Sequence, residues 1–430
     1  MSAKPNSAVE KFTSLSEWLA WQESLHTADI ELGLERCASI ATKMAVTRPA
    51  KIVVSVSGTN GKGSSVAMLD AIWRKSGYRV ATYTSPHLLR YNERIRINGE
   101  AASDDVICAA FERVEQARGG SSLTYFEFGT LAALSVFCEA ECDIVILEVG
   151  LGGRLDAVNI VDADVALIAT IGIDHVEFLG NTRSDIAVEK GGIMRAGALA
   201  VCSDANVPNS LKQLAKELPT TLEILGDSYR YSNDGDTWTW WSGATVQALL
   251  PKPALTGQYQ LNNASGALKV IDNLQDKVPT SDEAIAAGLS SVSLSGRFQL
   301  IPGDVDLIVD VAHNAQAVAA FVENFTSMPR VGKTHVLIGM MKVKDRASVL
   351  SELDAVADTW HLATIHARRG ATSDALYRSL ISALGKHKRA KTYDSVRDAW
   401  RGVNAIAQPG DTIIAIGSFL VVSEVLDAVR

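Results

Sequence analysis

Cysteine, positive charge and long apolar runs are all scarce in this sequence, and each scarcity narrows what the chain does. The five cysteines, Cys37, Cys108, Cys138, Cys142 and Cys202, are odd in number and include no CxxC pair. That pattern gives neither a disulfide framework nor a zinc-type ligand set. Cys138 and Cys142 sit four apart in an apolar stretch, but no second pair completes a metal site, and buried thiols of a reducing compartment are expected. No run of 18 or more uncharged apolar residues occurs, and the opening MSAKPNSAVEKF has no apolar core. Neither a membrane span nor a signal peptide is therefore expected, and the expected location is cytoplasmic. The net charge of −8 argues against a nucleic-acid surface, which needs clustered cations. It leaves room for one nucleotide balanced by Mg²⁺ and a few local cations.

What remains is length and alternation. A chain of 430 residues, 47% hydrophobic and 21% charged, is long enough for two or three globular domains. Residues 11–45 read as helical, with Ser14 or Ser16 as cap. Ile52–Val56 is a β-branched run, followed by helix over 64–76 and by strands at 80–83, 143–149 and 165–171. Apolar strands alternating with helices predict a mainly parallel sheet covered on both faces. Near 225–260, Tyr229, Tyr231, Trp238, Trp240 and Trp241 alternate with polar residues around Asn233-Asp234-Gly235, which predicts an antiparallel hairpin. The tryptophans either pack that hairpin onto the sheet or form a stacking platform. Residues 265–290 return to a helical pattern. After a boundary at Leu294-Ser295-Gly296, strands at 307–311, 335–338, 360–365 and 412–416 restart the alternation. The fold class is α/β: a P-loop-type, mainly parallel domain over 1–294 with a small antiparallel element, and a smaller Rossmann-like domain over 295–430.

Ser57-Gly58-Thr59-Asn60-Gly61-Lys62-Gly63-Ser64 lies between a strand and a helix, the setting of a phosphate cradle. Glycines admit backbone N–H groups to the phosphates, a helix N-terminus adds partial positive charge, and Lys62 supplies a cation. The common G-x-x-x-x-G-K-[ST] form is altered: Val56 replaces the first Gly, and Gly63 separates Lys62 from Ser64. Asp143–Glu148 is an apolar strand ending in a carboxylate, which suits Mg²⁺ beside such a loop. Asp174-His175 comes at the end of the next strand. By residue type alone, a lone histidine such as His175 is more often structural than a ligand, and Lys190 reads as a plain surface lysine.

The sequence resembles the Mur ligase superfamily in its folylpolyglutamate synthase branch. The loop Gly58–Ser64, Ser85-Pro86-His87-Leu88 … Glu93-Arg94-Ile95, Glu148–Ala157, Asp174–Gly180, Glu189–Ile193, Gly296-Arg297-Phe298-Gln299 and Asp310–Asn314 match its motifs in order. The resemblance implies ATP binding by Gly58, Thr59, Asn60, Gly61, Lys62, Gly63, Ser64, Asn263, Arg297, Asp310 and His313. It implies Mg²⁺ ligation by Ser64, Ser85, Glu148, His175 and a carbamylated Lys190, with Lys62, His175 and Lys190 in catalytic roles. Glu31-Leu32-Gly33, Thr124-Tyr125-Phe126-Glu127 and Leu155-Asp156-Ala157 are similar to segments that bind dihydropteroate in bifunctional bacterial members. Glu31 stands where Asp is common, and Phe126 and Phe128 also fit plain helix packing. The implied activity is ATP-dependent ligation of glutamate to dihydropteroate and to folate tails through an acyl phosphate, on small-molecule substrates and by a monomer. Alternatives are tail extension alone, another Mur-type amide ligase, a kinase-like P-loop enzyme, or a non-catalytic nucleotide module.

Overall fold

The computed structural model describes residues 12–26, 30–385 and 389–430. Two sheets carry the structure. The first has eight strands: β1 (Ile52–Ser57), β2 (Val80–Tyr83), β3 (Ile95–Ile97), β4 (Glu100–Ala101), β5 (Ile144–Glu148), β6 (Val165–Ile168), β7 (Leu199–Cys202) and β8 (Thr221–Ile224). Their order is β4-β3-β2-β5-β1-β6-β7-β8, parallel except at β3 and β4. Every residue of β1, β2, β5 and β6 is buried, as a sheet covered on both faces requires.

Two helical layers supply that cover. On one face pack α1 (Leu15–Leu25), α2 (Glu35–Lys43), α4 (Asp104–Arg118) and α5 (Tyr125–Glu139); on the other pack α3 (Lys62–Lys75) and the helices Tyr259–Asn273 and Asp282–Ser291. Ser14 caps α1 in a reciprocal box with Glu17, satisfying two orphan N–H groups at its start. The predicted continuous helix over 11–45 is in fact two helices, α1 and α2. Between them Leu32-Gly33 has no regular secondary structure; glycine there weakens any helix.

The aromatic stretch forms three strands rather than a two-stranded hairpin: β9 (Tyr229–Asp234), β10 (Thr237–Ser242) and β11 (Thr245–Pro251), in order β11-β10-β9. Trp238 and Trp240 are buried, and the indole N–H of Trp240 donates to Ser265 Oγ at 3.1 Å. They pack this small sheet onto Tyr259–Asn273, so the packing reading of the tryptophans holds.

The second large sheet comprises β12 (Gln299–Ile301), β13 (Asp306–Asp310), β14 (Thr334–Ile338), β15 (Thr359–Ala363), β16 (Ala390–Tyr393) and β17 (Thr412–Ile416), in order β12-β13-β17-β14-β15-β16. Only β12 is antiparallel. Its strands meet the other unit through their C-terminal ends, where ligands of open α/β sheets collect. At the opposite end is a buried polar chain: Asp411 to His335 Nε2 at 3.0 Å, His335 Nδ1 to Thr359 at 2.7 Å, and His361 Nδ1 to Tyr393 at 3.0 Å.

Burial, with lesser contributions from His335 and Lys391, pulls the pKa of His361 down to about 4. An unfolded histidine titrates near pH ~6.5. Between these values the unfolded chain binds the extra proton, so folded-state stability falls as pH drops through that window. The thermal midpoint is expected to decline from pH 7 to pH 4.5, and to decline less in His361→Gln. Equal slopes in the two proteins contradict this assignment.

Candidate active site

β1 delivers the chain into the loop Gly58–Gly61, and Lys62 opens α3. Gly61 caps that helix at φ +88°, and a Cβ there would stand 2.3 Å from Asn263 Oδ1. Only glycine meets both constraints cheaply. The loop is tied across the sheet by Thr59 N to Thr170 O at 2.7 Å and Thr59 Oγ1 to Gly172 O at 2.9 Å. Lys62 Nζ folds back onto Gly58 O at 2.8 Å. Its ammonium is disfavoured by burial and favoured by the nearby Glu148.

A cavity of about 350 Å³ opens above this loop. It brings together Gly58, Thr59, Asn60, Gly61, Lys62, Ser64, Ser85, Glu148, His175, Lys190, Asn263, Arg297, Asp310 and His313, residues spread over 256 positions of sequence. Gly63 is the one predicted loop residue outside it; it faces a neighbouring cavity. Each large sheet contributes from its C-terminal edge. Asp310, at the end of β13, accepts from Phe298 N and Ala312 N, each at 2.7 Å, which fixes the turn carrying Arg297 and His313. Burial raises its pKa and the Arg297 charge opposes that.

The carboxylate of Glu148 is buried at the end of β5 and takes one hydrogen bond, from Ser85 N to Oε2 at 3.2 Å. Burial raises its pKa against the pull of Lys62. His175 lies in a loop beyond β6, not at the strand end, in the left-handed region at φ +51°. Burial and then Lys344 lower its pKa to about 3, and its Nδ1 is buried without a partner. Unspent carboxylate oxygens, two serine hydroxyls and a neutral imidazole are donors a divalent cation accepts, so these residues fit the implied metal. Lys190 is buried, and desolvation and then the Lys62 charge hold it well below the ordinary lysine range. Its ammonium form is therefore disfavoured relative to an exposed lysine.

Asp174 is the centre of a polar network that the sequence does not mark. It accepts from His313 Nε2 at 3.2 Å, Asn314 Nδ2 at 3.3 Å and Lys344 Nζ at 2.5 Å, and Lys344 also lies 3.3 Å from His175 Nε2. Burial opposes its ionisation, but the His313 hydrogen bond and the His313 and Lys344 charges outweigh it and hold the carboxyl below its usual range. Asn60 adds bonds to Asn314 and Gln316. The motif Asp174-His175 was visible in the sequence; nothing in Lys342-Val343-Lys344-Asp345 marked Lys344.

The predicted pterin residues do not line this cavity; they gather beside it on the α5 face. Thr124 and Glu127 form the capping box of α5, and Arg36 bridges Glu127, at 2.9 Å, to Glu31. Asp156 caps the short turn Ala157–Ile160, accepting from Leu151 N and Val158 N, and burial raises its pKa to about 6. Leu32 and Gly33 precede α2, Leu155 lies just before Asp156, and Tyr125 packs edge-on to Tyr91. Phe126 lies under Gly150, where a Cβ would meet its ring at 2.6 Å, and Gly150 lines the cavity. That contact joins the two regions. Phe128 is buried among Trp18, Trp21 and Phe111 and serves packing.

A strand–loop–helix phosphate cradle facing a second α/β unit defines a nucleotide-dependent ligase of the Mur type. The Mur ligase middle domain model matches residues 56–271, and the Mur ligase glutamate ligase domain model matches 296–419. The chain is 39% identical to the dihydrofolate synthase/folylpolyglutamate synthase of Escherichia coli K12 over 96% of its own length and 95% of that protein. The structure of E. coli FolC in complex with DHPP and ADP superposes with a TM-score of 0.92 at 39% identity, covering 98% of this chain and 99% of that one. A bifunctional folylpolyglutamate synthase/dihydrofolate synthase with Mn, AMPPNP and L-glutamate bound gives 0.90 at 40% identity, covering 98% and 100%. The chain belongs to the dihydrofolate synthase/folylpolyglutamate synthase family of Mur ligases.

Replacing Gly61 by Ala forces a left-handed alanine, costing about 1–2 kcal/mol, and pushes on Asn263. Calorimetric titration with a non-hydrolysable ATP analogue is expected to show affinity reduced about tenfold or more. Unchanged affinity means the loop is not the nucleotide cradle.

Proposed function

We propose that the protein uses ATP and Mg²⁺ to join L-glutamate to dihydropteroate, forming dihydrofolate, and to the glutamate tail of folates. The observation that carries this reading is the single cavity in which the phosphate loop, Glu148 and His175 face Arg297, Asp310 and His313. The names of the relatives and the nucleotide, metal and glutamate bound to them support it. The same reading takes residues 1–294 and 295–430 as the two working units.

A carboxylate does not react with an amine directly. Transfer of the ATP γ-phosphoryl group to an acceptor carboxylate oxygen forms an acyl phosphate and releases ADP. The glutamate nitrogen then attacks the acyl carbon, a tetrahedral intermediate collapses, the C–O bond to phosphate breaks, and the nitrogen loses its proton. Such transfer depends on positioning and charge stabilisation. Gly58–Gly63 and the start of α3 cradle the phosphates through backbone N–H groups. Lys62, released from Gly58 O, and Arg297, whose guanidinium stays charged, offset the developing charge. Asn263 and Asp310 hold the nucleoside end. Ser64, Ser85, Glu148, His175 and Lys190 would hold the cation, which would supply positive charge to the triphosphate. Burial and the Lys62 charge disfavour the Lys190 ammonium and so favour attack of its amine on CO₂: an N–C bond forms, a proton leaves, and the resulting carbamate would supply a negative oxygen where an ammonium would repel metal. Glu31–Gly33, Thr124–Glu127 and Leu155–Ala157 hold the pterin, next to the cavity through Phe126 and Gly150. Closure of the two units around this site excludes water, which would hydrolyse the acyl phosphate.

Purified protein supplied with ATP, Mg²⁺ and glutamate is expected to convert both dihydropteroate and tetrahydrofolate to products one glutamate heavier by mass spectrometry. Conversion of tetrahydrofolate alone reduces the activity to tail extension, and no conversion of either removes the proposal. For Lys190, ¹³CO₂ is expected to give a carbamate carbon resonance that is absent in Lys190→Ala. CO₂-free buffer is expected to lower ligation reversibly; a rate indifferent to CO₂ together with no resonance contradicts carbamylation.

A further inference from the structure

A second cavity of about 540 Å³ adjoins the first. The two share Ser85, Pro86, Glu148, Arg297 and Phe419, so they meet where the acceptor carboxylate must react. From that junction the second cavity follows α3 from Gly63 to Arg74, about 16 Å of helix at ~1.5 Å per residue. Thr82 of β2, Thr84 just beyond it and Arg96 of β3 form its facing wall. It lies on the α3 face of the sheet, whereas Phe128 and Ala157, beside the pterin segments, pack on the α5 face. None of the residues assigned to the pterin lines it.

The chemistry of its far end is unexplained by nucleotide or metal binding. Arg96 donates only to backbone carbonyls, Glu93 O at 3.4 Å and Gly99 O at 3.2 Å, and makes no ion pair among the described residues. Arg74 gives its Nε to Asp70 at 2.9 Å and lays the rest of its guanidinium beside Gly99. Of the carboxylates nearby, Asp70 feels the charges of both Arg74 and Arg96, and Glu148 and the C-terminal Arg430 also line the cavity, but none of them makes an ion pair with Arg96 among the described residues. Glu93 is occupied by the N–H groups of Leu88, Leu89 and Arg90, and Asp70 is committed to Arg74. Asp70 Oδ1 is buried with no partner, an acceptor awaiting an N–H group. An elongated channel with guanidinium donors and one free acceptor, opening on the reacting carboxyl, matches a chain that repeats carboxylates and amide N–H groups.

We propose that this cavity receives the γ-linked glutamate tail of folyl acceptors, with Arg96 and Arg74 binding its α-carboxylates and Asp70 Oδ1 accepting a tail amide N–H. The proposal rests on the ligase reading above. Dihydropteroate, whose one carboxylate is consumed in the reaction, approaches from the α5 face and has no use for the cavity. The two acceptors thus reach one reactive point from opposite sides of the sheet.

The test compares acceptors in the intact enzyme and in Arg96→Met and Arg74→Met. Loss of a charge-assisted bond is expected to raise KM for triglutamyl tetrahydrofolate about tenfold, while KM for dihydropteroate stays within about twofold. Arg96→Lys is expected to recover part of the loss. A γ-linked triglutamate without a pterin is expected to bind wild type by calorimetry, to compete with triglutamyl tetrahydrofolate and not with dihydropteroate, and to bind Arg96→Met more weakly. Equal rises in both KM values, no change in either, or no triglutamate binding to wild type overturns the tail site. Failure of wild type to ligate either acceptor instead overturns the ligase reading, and the triglutamate titration still decides the cavity.

Discussion

Asp174 ties the two halves of the molecule together. One buried carboxylate from the first unit takes hydrogen bonds from three side chains of the second, His313, Asn314 and Lys344. A buried charge is tolerated only when paired and hydrogen-bonded; here the three side-chain donors come from across the cleft, and His175 N of the same unit adds a bond at 2.8 Å. Separating the units would leave that carboxylate without those partners. The network therefore sets the approach of the two sheet edges, and with it the distance between the phosphate loop and the turn carrying Arg297.

The reactive groups follow from the same burial. Glu148 and Lys190 are buried and Lys62 is half-buried, and burial opposes the charged form of each. In water these side chains would be fully ionised and solvated. In the cleft Lys62 and Glu148 stabilise one another, whereas Lys190, next to Lys62, has its ammonium disfavoured twice. The site is thus electrostatically incomplete, and a triphosphate with a divalent cation supplies the charges that complete it. This explains why a ligase with a net charge of −8 can bind a polyanion: the cations needed are few and local.

Much of this was legible in the sequence because it was local. The β-branched run Ile52–Val56, the glycines at 58, 61 and 63 and Lys62 specify strand, turn and helix start within a dozen residues. Glu148 is visible as the acidic end of an apolar strand. Long-range pairing was not legible. Lys344 reaches Asp174 across 170 positions, and neither residue's neighbours announce it. The break between α1 and α2 escaped the periodicity because apolar residues recur on both sides of Leu32-Gly33. The third strand of the aromatic sheet escaped because Thr245–Pro251 carries mostly exposed side chains, without the alternation that marks a half-buried strand. Thr124, Glu127 and Asp156 were read as substrate contacts; the fold shows that each is also a helix or turn cap, so residue type alone underdetermined their work.

The proposed chemistry turns an inert acid into a mixed anhydride with phosphate inside this cleft. Acceptor labelled with ¹⁸O in its reacting carboxylate tests it directly. One labelled oxygen in the released phosphate for each amide formed is the predicted result. Phosphate free of label, with product still accumulating, would show that the acyl phosphate is never made.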